Sequence, residues 1–230
     1  MKNSGNKAII VYGAPGSGKG TQAKFLADKF NLYHFDTGDY LRKIIYDPLL
    51  QKNKIIQRER KLNESGILQT PEFVLKVVSQ RTKEIIKLNQ GIVYSGSPRT
   101  LFEAFGNNKN KGLMEILVKG YGKKNVFIFN LDIPEKEAIK RNSKRSICSV
   151  CKAPILGIAK DKLSSCAFCG GKIIRRVDDN PEIMKTRLKE YSQRTKPIFA
   201  KLKKGNYKFY KINGEPMPYK IHQTILKKLG

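Results

Sequence analysis

The chain has 230 residues, of which 40% are hydrophobic, and its 46 Lys and Arg against 19 Asp and Glu give a formal charge of +27. This size and composition suit one α/β domain with small insertions and exclude a disordered chain. No apolar run approaches the length of a membrane span, and the run before residue 13 is too short for a signal-peptide core, so we expect a cytoplasmic protein without membrane contact.

The first predicted strand, residues 8–12, leads into Gly-Ala-Pro-Gly-Ser-Gly-Lys-Gly-Thr at 13–21 and then into a predicted helix over 19–30. A glycine-rich turn between a strand and a helix lets backbone N–H groups approach an anion, and the helix N-terminus adds partial positive charge. Lys19 is placed to reach the outer phosphates of a nucleotide. The pattern departs from most P-loops because Gly20, and not Ser or Thr, follows the lysine.

Strands and helices alternate along the rest of the chain, which predicts an α/β fold with a parallel sheet covered by helices on both faces. The further strands are predicted at 33–36, 91–95, 125–131 and 207–212. The further helices are predicted at 38–47, 49–64, 71–89, 99–105, 112–119, 134–143, 180–204 and 217–229. The helical stretch 37–69 and the cysteine segment 146–175 interrupt the alternation, so we expect both to be inserted subdomains.

All four cysteines lie in one segment, as two C-x-x-C pairs: Cys148 with Cys151, and Cys166 with Cys169. This spacing favours a structural zinc site in which four thiolates complete a tetrahedron. Two disulfides are the alternative, which a cytoplasmic location disfavours. A catalytic zinc is disfavoured because no ligand position is left for water. His34 and His222 have no evident partners, and we interpret both as structural or surface residues.

Six motifs in register give the chain a specific resemblance that covers nearly its whole length. They are GAPGSGKGTQA at 13–23, TGDYLR at 37–42, GSPRT at 96–100, KRNSKRSICSVC at 140–151, RRVDDN at 175–180 and TRLKEYSQRTKP at 186–197. The chain resembles the adenylate kinases of the bacterial long-lid type with a zinc-binding lid. The resemblance implies a P-loop kinase core, a monophosphate-binding insert at 36–69 and a zinc lid at 144–177. It also implies magnesium-dependent transfer of the terminal phosphoryl group of ATP to AMP, giving two ADP.

The resemblance implies roles for individual residues. On the ATP side it implies Gly16, Ser17, Gly18, Lys19, Gly20, Thr21, Arg141, Arg145 and Pro216. For AMP it implies Thr37, Arg42, Ile67, Leu68, Gln69, Gly96, Ser97, Pro98, Arg99, Glu103, Arg176 and Arg187, with residues 67–69 contributing their backbone. The groups implied in catalysis are Lys19, Arg42, Arg99, Arg145, Arg176, Arg187 and Asp178, the last acting with Asp179 in lid closure. Asp39 is implied as a magnesium ligand through water.

Four positions depart from the family pattern. Ser95-Gly96-Ser97 replaces the usual Asp-Gly-Phe, which removes an acid that helps to hold magnesium and an aromatic ring from the monophosphate pocket. Ser146 stands beside Arg145 where a second arginine is common. Glu103 replaces the glutamine that reads the acceptor base. An ionised carboxylate only accepts hydrogen bonds, so Glu103 alone would match the two adjacent donors of guanine, unless a raised pKa restores a proton.

Three functions therefore stay open. The first is an adenylate kinase with ATP, AMP and ADP as ligands, which we expect to be a monomer. The second is a nucleoside monophosphate kinase that accepts GMP or a pyrimidine monophosphate. The third, of another class, is a weakly active basic protein that binds nucleotides or RNA on a kinase scaffold. The high positive charge permits a nucleic-acid partner, but its spread along the chain does not favour one.

Overall fold

A computed structural model describes residues 6–143, 145–151, 153–155, 163–175 and 180–230 of the chain. Over these residues a five-stranded parallel sheet has the strand order β2-β3-β1-β4-β8. Its strands are β1 (Ala8–Gly13), β2 (Tyr33–Asp36), β3 (Ile92–Ser95), β4 (Val126–Asp132) and β8 (Lys208–Asn213). The predicted parallel α/β sheet is confirmed. No described helix is both long and apolar enough to cross a bilayer.

Helices connect the strands and cover the sheet. They are α1 (Lys19–Phe30), α2 (Thr37–Ile45), α3 (Lys54–Glu64), α4 (Pro71–Lys87), α5 (Leu101–Phe105), α6 (Leu113–Tyr121), α7 (Glu135–Ser143), α8 (Pro181–Glu190), α9 (Lys196–Lys204) and α10 (Pro218–Leu229). A π-helical segment, Tyr191–Thr195, joins α8 to α9.

The two faces of the sheet form separate buried clusters. Ile10 of β1 belongs to the cluster that includes residues of α4, α6 and α9, whereas its neighbour Ile9 belongs to the cluster that includes residues of α1 and α10. Successive side chains of a strand point to opposite faces, so a central strand covered on both sides is apolar throughout. The rigid layer that results fixes the positions of the strand ends.

The carboxyl ends of the strands lie at one edge of the sheet. Asp36 at the end of β2 is in register with Ser95 at the end of β3, and Val11 of β1 pairs with the same serine. The glycine-rich loop, helix α2 and the segment before α5 all begin at this edge. In open parallel sheets this edge is where ligands bind.

A second, antiparallel sheet of three short strands contains Cys148, the first of the four cysteines, at the end of its central strand. Its order is β6 (Pro154–Ile155), β5 (Ser146–Cys148) and β7 (Ile173–Arg175). The remaining residues between 144 and 177 lie partly outside the described chain, so the predicted boundaries of the zinc lid stay a prediction, as do those of the 36–69 insert.

Two predicted helices differ in detail. The helix predicted at 49–64 begins at Lys54, because the Asn53 side chain accepts from Ile55 N at 2.9 Å and so caps α3, while Pro48–Leu50 forms a 3₁₀ turn. The helix predicted at 180–204 contains the π-helical segment. There Tyr191 Oη donates to Asn130 Oδ1 at 3.1 Å and Thr195 Oγ1 donates to Arg99 O at 2.9 Å.

Candidate active site

The glycine-rich loop between β1 and α1 is shaped by its packing against α7. Gly16 has φ 83°, and a Cβ atom there would lie 2.5 Å from Asn142 Nδ2, so only glycine fits. Ser17 N donates to Ala14 O at 3.1 Å, which closes the turn ahead of the helix N-terminus. Of the predicted ATP-binding residues, Gly16 to Gly18 lie in this loop and Lys19 to Thr21 form the first turn of α1.

Lys19 at this loop is influenced by the charges of three arginines from separate parts of the chain. Burial lowers the pKa of Lys19 well below its usual value, and the charges of Arg99, Arg187 and Arg145 lower it further, while Asp36 opposes them. Lys19 Nζ donates to Ala14 O at 3.2 Å. A polyanion placed among these groups would stabilise all of them, which is the property expected of a site for nucleotide phosphates.

A cavity beside the loop brings together residues that lie far apart in the sequence, such as Lys19 and Arg187, which are 168 positions apart. The predicted residues that line it are Lys19, Arg42, Ile67, Leu68, Gln69, Gly96, Ser97, Arg99, Glu103 and Arg187. Pro98 follows Ser97 and lines a smaller adjoining cavity with Glu103. The acceptor-side residues therefore gather at the carboxyl edge of the sheet.

Arg42 and Arg99 approach the same point at the start of α2. A Cβ atom on Gly38 would lie 3.4 Å from Arg42 Nη1 and 3.7 Å from Arg99 Nη2. Arg99 Nε donates to Gly96 O, and a Cβ on Gly96, where φ is 111°, would lie 2.8 Å from Arg99 Nη2. Buried Thr37 donates from Oγ1 to Ser95 O at 3.4 Å. Two planar guanidinium groups at a helix N-terminus suit a phosphate group.

Asp39, the predicted magnesium ligand, lies on α2 and forms ion pairs with its own helix. Its carboxylate lies 3.0 Å from Lys43 Nζ and 3.7 Å from Arg42 Nη2. Its role toward magnesium stays a prediction.

Arg141 and Pro216, predicted on the ATP side, lie in neighbouring segments. Arg141 donates to Gly214 O at 2.8 Å, to Glu215 O at 2.7 Å and to Glu137 Oε1 at 2.7 Å. These bonds tie α7 to the loop that precedes α10. Of the remaining predicted residues, Arg176, Asp178 and Asp179 lie outside the described residues.

A sequence model of the family described as adenylate kinase matches residues 11–207, which contain every one of the cavity residues named above. The chain belongs to the adenylate kinase family. Curated adenylate kinases match along most of its length. The adenylate kinase of Borreliella burgdorferi is 33% identical, over 96% of this chain and 99% of the relative. The adenylate kinase of Caldicellulosiruptor saccharolyticus is 29% identical, over 96% of this chain and 98% of the relative. That of Dehalococcoides mccartyi is 35% identical over 83% of both chains. The protein is thus a phosphotransferase of the adenylate kinase family.

This adenylate kinase family member has a four-cysteine cluster that fits a metal such as zinc. The four sulfurs all lie within 4.8 Å of one another, with Cys148 and Cys169 at 3.4 Å and Cys151 and Cys166 at 3.7 Å. Tetrahedral thiolates at about 2.3 Å from zinc would be about 3.8 Å apart. All four are free thiols, so the disulfide alternative is not realised. Burial opposes ionisation of Cys148, but backbone donors including Val150 N lower its pKa to about 6.

Glu103 has a structural role at the start of α5 in this kinase. Glu103 N donates to Thr100 Oγ1 at 3.1 Å, Thr100 Oγ1 donates to Glu103 Oε1 at 3.0 Å, and Arg99 N donates to Glu103 Oε2 at 2.8 Å. Thr100 is the N-cap of α5, and the Glu103 carboxylate reaches back to the N–H of Arg99, the residue before Thr100, so the arrangement is a variant of the capping box. Burial raises the pKa of Glu103, against the lowering effect of these donors and of the Arg99 charge.

Among the cavity residues of the kinase that sequence reasoning missed are Glu190, Tyr12 and Tyr191. Glu190 Oε2 accepts from Leu68 N at 3.0 Å and from Arg194 Nη1 at 3.2 Å. Glu190 follows Arg187 by three residues, which places both side chains on one face of a helix. This spacing in the sequence could have identified Glu190 as a residue of the same site. Tyr12 and Tyr191 also line the cavity. Burial raises the pKa of Tyr12, and the negative charge of Glu103 raises it further. Nothing in the local sequence of either tyrosine distinguishes it from a core residue.

Proposed function

We propose that this protein transfers the terminal phosphoryl group of ATP, which carries Mg²⁺, to AMP and so forms two ADP. The observation that carries the proposal is the convergence of Lys19 from the glycine-rich loop with Arg99 and Arg187 on one cavity at the carboxyl edge of the sheet. Membership of the adenylate kinase family supports AMP as the acceptor.

The chemistry asks mainly for positioning and for stabilisation of charge. An oxygen of the AMP phosphate attacks the γ-phosphorus of ATP, the bond from that phosphorus to the β,γ-bridging oxygen breaks, and ADP leaves with the electron pair. The attacking oxygen is already anionic, so no general base is needed. Negative charge spreads over the three equatorial oxygens in the transition state. Lys19 would hold the donor phosphates, and Arg42 with Arg99 would hold the acceptor phosphate.

Arg187 and Arg145 would neutralise the charge that develops between the two nucleotides. The charges of both arginines lower the pKa of Lys19, which supports a role for them near the donor phosphates. Arg176 and Asp178, implied by the family resemblance, would act from the lid, and Asp39 would hold magnesium through water. Magnesium, when bound with ATP, supplies further neutralisation of the phosphate oxygens.

We also propose that zinc occupies the cysteine cluster and makes the lid rigid without entering the chemistry. Four reduced thiols at metal-binding distances suit a reducing compartment, which supports a cytoplasmic location. A monomer is proposed because one chain supplies both phosphate-binding sides of the cavity.

The test is a coupled kinase assay with ATP, Mg²⁺ and AMP, GMP, CMP or UMP as acceptor. We expect AMP to have the highest kcat/KM. A preference for GMP would support the second candidate function, which Glu103 favours when considered alone. Absence of turnover with every acceptor, together with salt-dependent RNA retention on a filter, would replace the enzyme by the binding-protein alternative.

A further inference from the structure

The fold gathers lysines from separate parts of the chain at the amino edge of the parallel sheet, which lies opposite the candidate active site. Helices α6 and α9 end at this edge, and strands β4 and β8 begin there. The strand β4 spans seven residues, so this edge is about 20 Å from the carboxyl edge. The exposed lysines of these two connections form a cluster that we call the amino-edge patch: Lys119, Lys123, Lys124, Lys203, Lys204 and Lys208.

The two connections contact each other, and aromatic rings hold their lysines. Phe127 at the start of β4 is in register with Lys208 at the start of β8, and Lys208 Nζ lies 4.3 Å from the centroid of the Phe127 ring. Lys123 Nζ lies 5.3 Å from the centroid of the Tyr207 ring. An aromatic face attracts an ammonium group but carries no net charge. The rings therefore position these lysines and leave the positive charge of the patch intact.

The charge of the patch is not balanced by neighbouring acids. Residues 118–125 and 201–208 contain neither Asp nor Glu. Within the described part of the chain, no acid forms an ion pair with a lysine of the patch, and Glu84 at the end of the adjacent helix α4 pairs with Arg81 at 2.9 Å. The negative end of a helix dipole favours lysines in the last turn of α6 and α9, but the charge continues beyond both helices. The amino-edge patch is therefore a surface of uncompensated positive charge.

The chemistry of the patch favours one kind of polyanion. None of the large hydrophobic residues exposed in the described chain lies within 118–125 or 201–208, so the patch offers no apolar group for insertion into a bilayer. Single-stranded nucleic acids are bound largely by stacking on free aromatic faces, and Lys123 already covers Tyr207. A nucleic-acid duplex, by contrast, presents regularly spaced phosphates, about one for every 1.7 Å of its axis, to which lysines alone can bind.

We infer that the amino-edge patch binds the phosphate backbone of a nucleic-acid duplex, while the opposite edge of the sheet carries the nucleotide site. Phosphate contacts carry no direct information about the base sequence, so this binding is independent of sequence. The sheet separates the two surfaces, so ATP and AMP should not displace the duplex. The inference does not depend on the proposed function, because it concerns a different surface.

The test is fluorescence anisotropy with a labelled DNA duplex of about 20 base pairs and arbitrary sequence, at about 50 to 200 mM NaCl. The patch variant combines Lys123→Gln, Lys204→Gln and Lys208→Gln. The control variant combines Lys52→Gln, Lys54→Gln and Lys61→Gln, which are exposed lysines in and before α3. Both variants lose three charges, so their net charges are equal and only the position of the change differs.

We expect the native protein to bind the duplex with a Kd of about 1 to 100 µM, the range for contacts to the backbone alone. The patch variant should bind at least about tenfold more weakly at low salt, and its slope of log Kd against log salt should be smaller by about 2 to 3, since each phosphate contact contributes about 0.9. The control variant should stay within about twofold of the native protein. The patch variant should also keep the native kcat in the coupled assay, which shows that its fold is intact.

Four results would overturn the inference. The first is the absence of binding by the native protein, and the second is an equal loss in the two variants, which would mean attraction by the net charge alone. The third is displacement of the duplex by saturating ATP and AMP, which would place the duplex in the nucleotide site. The fourth is tighter binding of the native protein to phosphatidylglycerol vesicles than to the duplex at equal phosphate concentration, which would assign the patch to a membrane surface. A native protein that binds the duplex through the patch but does not phosphorylate any acceptor would overturn the proposed function and leave the inference standing.

Discussion

Replacing Glu59 by alanine should destabilise the acceptor side of the protein strongly, although Glu59 touches no proposed substrate. Glu59 lies on α3 and is fully buried. Its Oε2 accepts from Thr70 N at 2.7 Å, and its Oε1 accepts from Thr70 Oγ1 at 2.6 Å and from Arg58 Nη2 at 2.8 Å. The carboxylate thus connects α3 to Thr70, the N-cap residue of α4, which directly follows Gln69.

The magnitude follows from the three partners. Leaving the Thr70 N–H without an acceptor costs about 1–3 kcal/mol, and losing the hydroxyl bond costs about 1 kcal/mol. The Arg58 side chain is 56% exposed, so its ion pair contributes no more than about 1 kcal/mol after solvent screening. We therefore expect Glu59→Ala to lower the free energy of unfolding by about 3 kcal/mol.

Urea unfolding followed by far-ultraviolet circular dichroism measures this change, and Glu64→Ala is the matched control. Glu64 lies on the same helix and pairs with Arg60 at 2.9 Å, but its side chain is 49% exposed. Its removal should cost less than about 1 kcal/mol. Ala is a slightly better helix former than Glu, and Glu64 is the last residue of α3, so helix propensity cannot account for a large loss of stability in Glu59→Ala.

Glu59→Gln keeps an acceptor for Thr70 N and should fall between the native protein and Glu59→Ala. The KM for AMP should rise in Glu59→Ala while the KM for ATP stays unchanged, because Thr70 anchors the segment that contains Gln69. If Glu59→Ala and Glu64→Ala lose the same stability, the reasoning from the buried carboxylate is refuted.

Three further predictions address the site and the metal. Lys19→Ala and Arg99→Ala should each lower kcat by about a hundredfold or more in the coupled assay. Lys24→Ala, on the exposed side of α1, is the control and should leave kcat unchanged. Near-native turnover in Lys19→Ala or in Arg99→Ala would refute the assignment of that residue. Cys148→Ser, or a chelator, should remove zinc found by metal analysis and lower the melting temperature, and an unchanged melting curve would contradict a structural metal. Burial raises the pKa of Glu103, so the folded protein binds the carboxyl proton more tightly than the unfolded chain does. The free energy of unfolding of the native protein, relative to that of Glu103→Gln, should therefore fall as the pH rises from about 4. A constant difference between the two proteins in urea unfolding from about pH 4 to pH 7 would contradict this prediction.

Features set by short stretches of sequence were predictable. The apolar runs give all five strands of the parallel sheet, the glycine-rich loop gives the position of Lys19, and the cysteine spacing gives the metal cluster. These features depend on periodicity or on local backbone chemistry, which neighbouring residues determine.

Features that depend on contacts between distant residues were not predictable. Glu190 meets Leu68 across 122 positions, and Tyr191 meets Asn130 across 61. The residues of 180–204 all suit an α-helix, so local preference could not reveal the π-helical segment.

The π-helical segment Tyr191–Thr195 also sets the relative rotation of the helices on either side of it. A π turn accommodates one residue more than an α turn, and each residue of an α-helix turns the chain by about 100°. The extra residue therefore lets Arg187 and Glu190 face the cavity while Ile198 and Leu202 face the core. A one-residue deletion here would leave a regular, well-bonded helix whose two halves no longer face their targets, so this short stretch should tolerate substitution far better than a change in length.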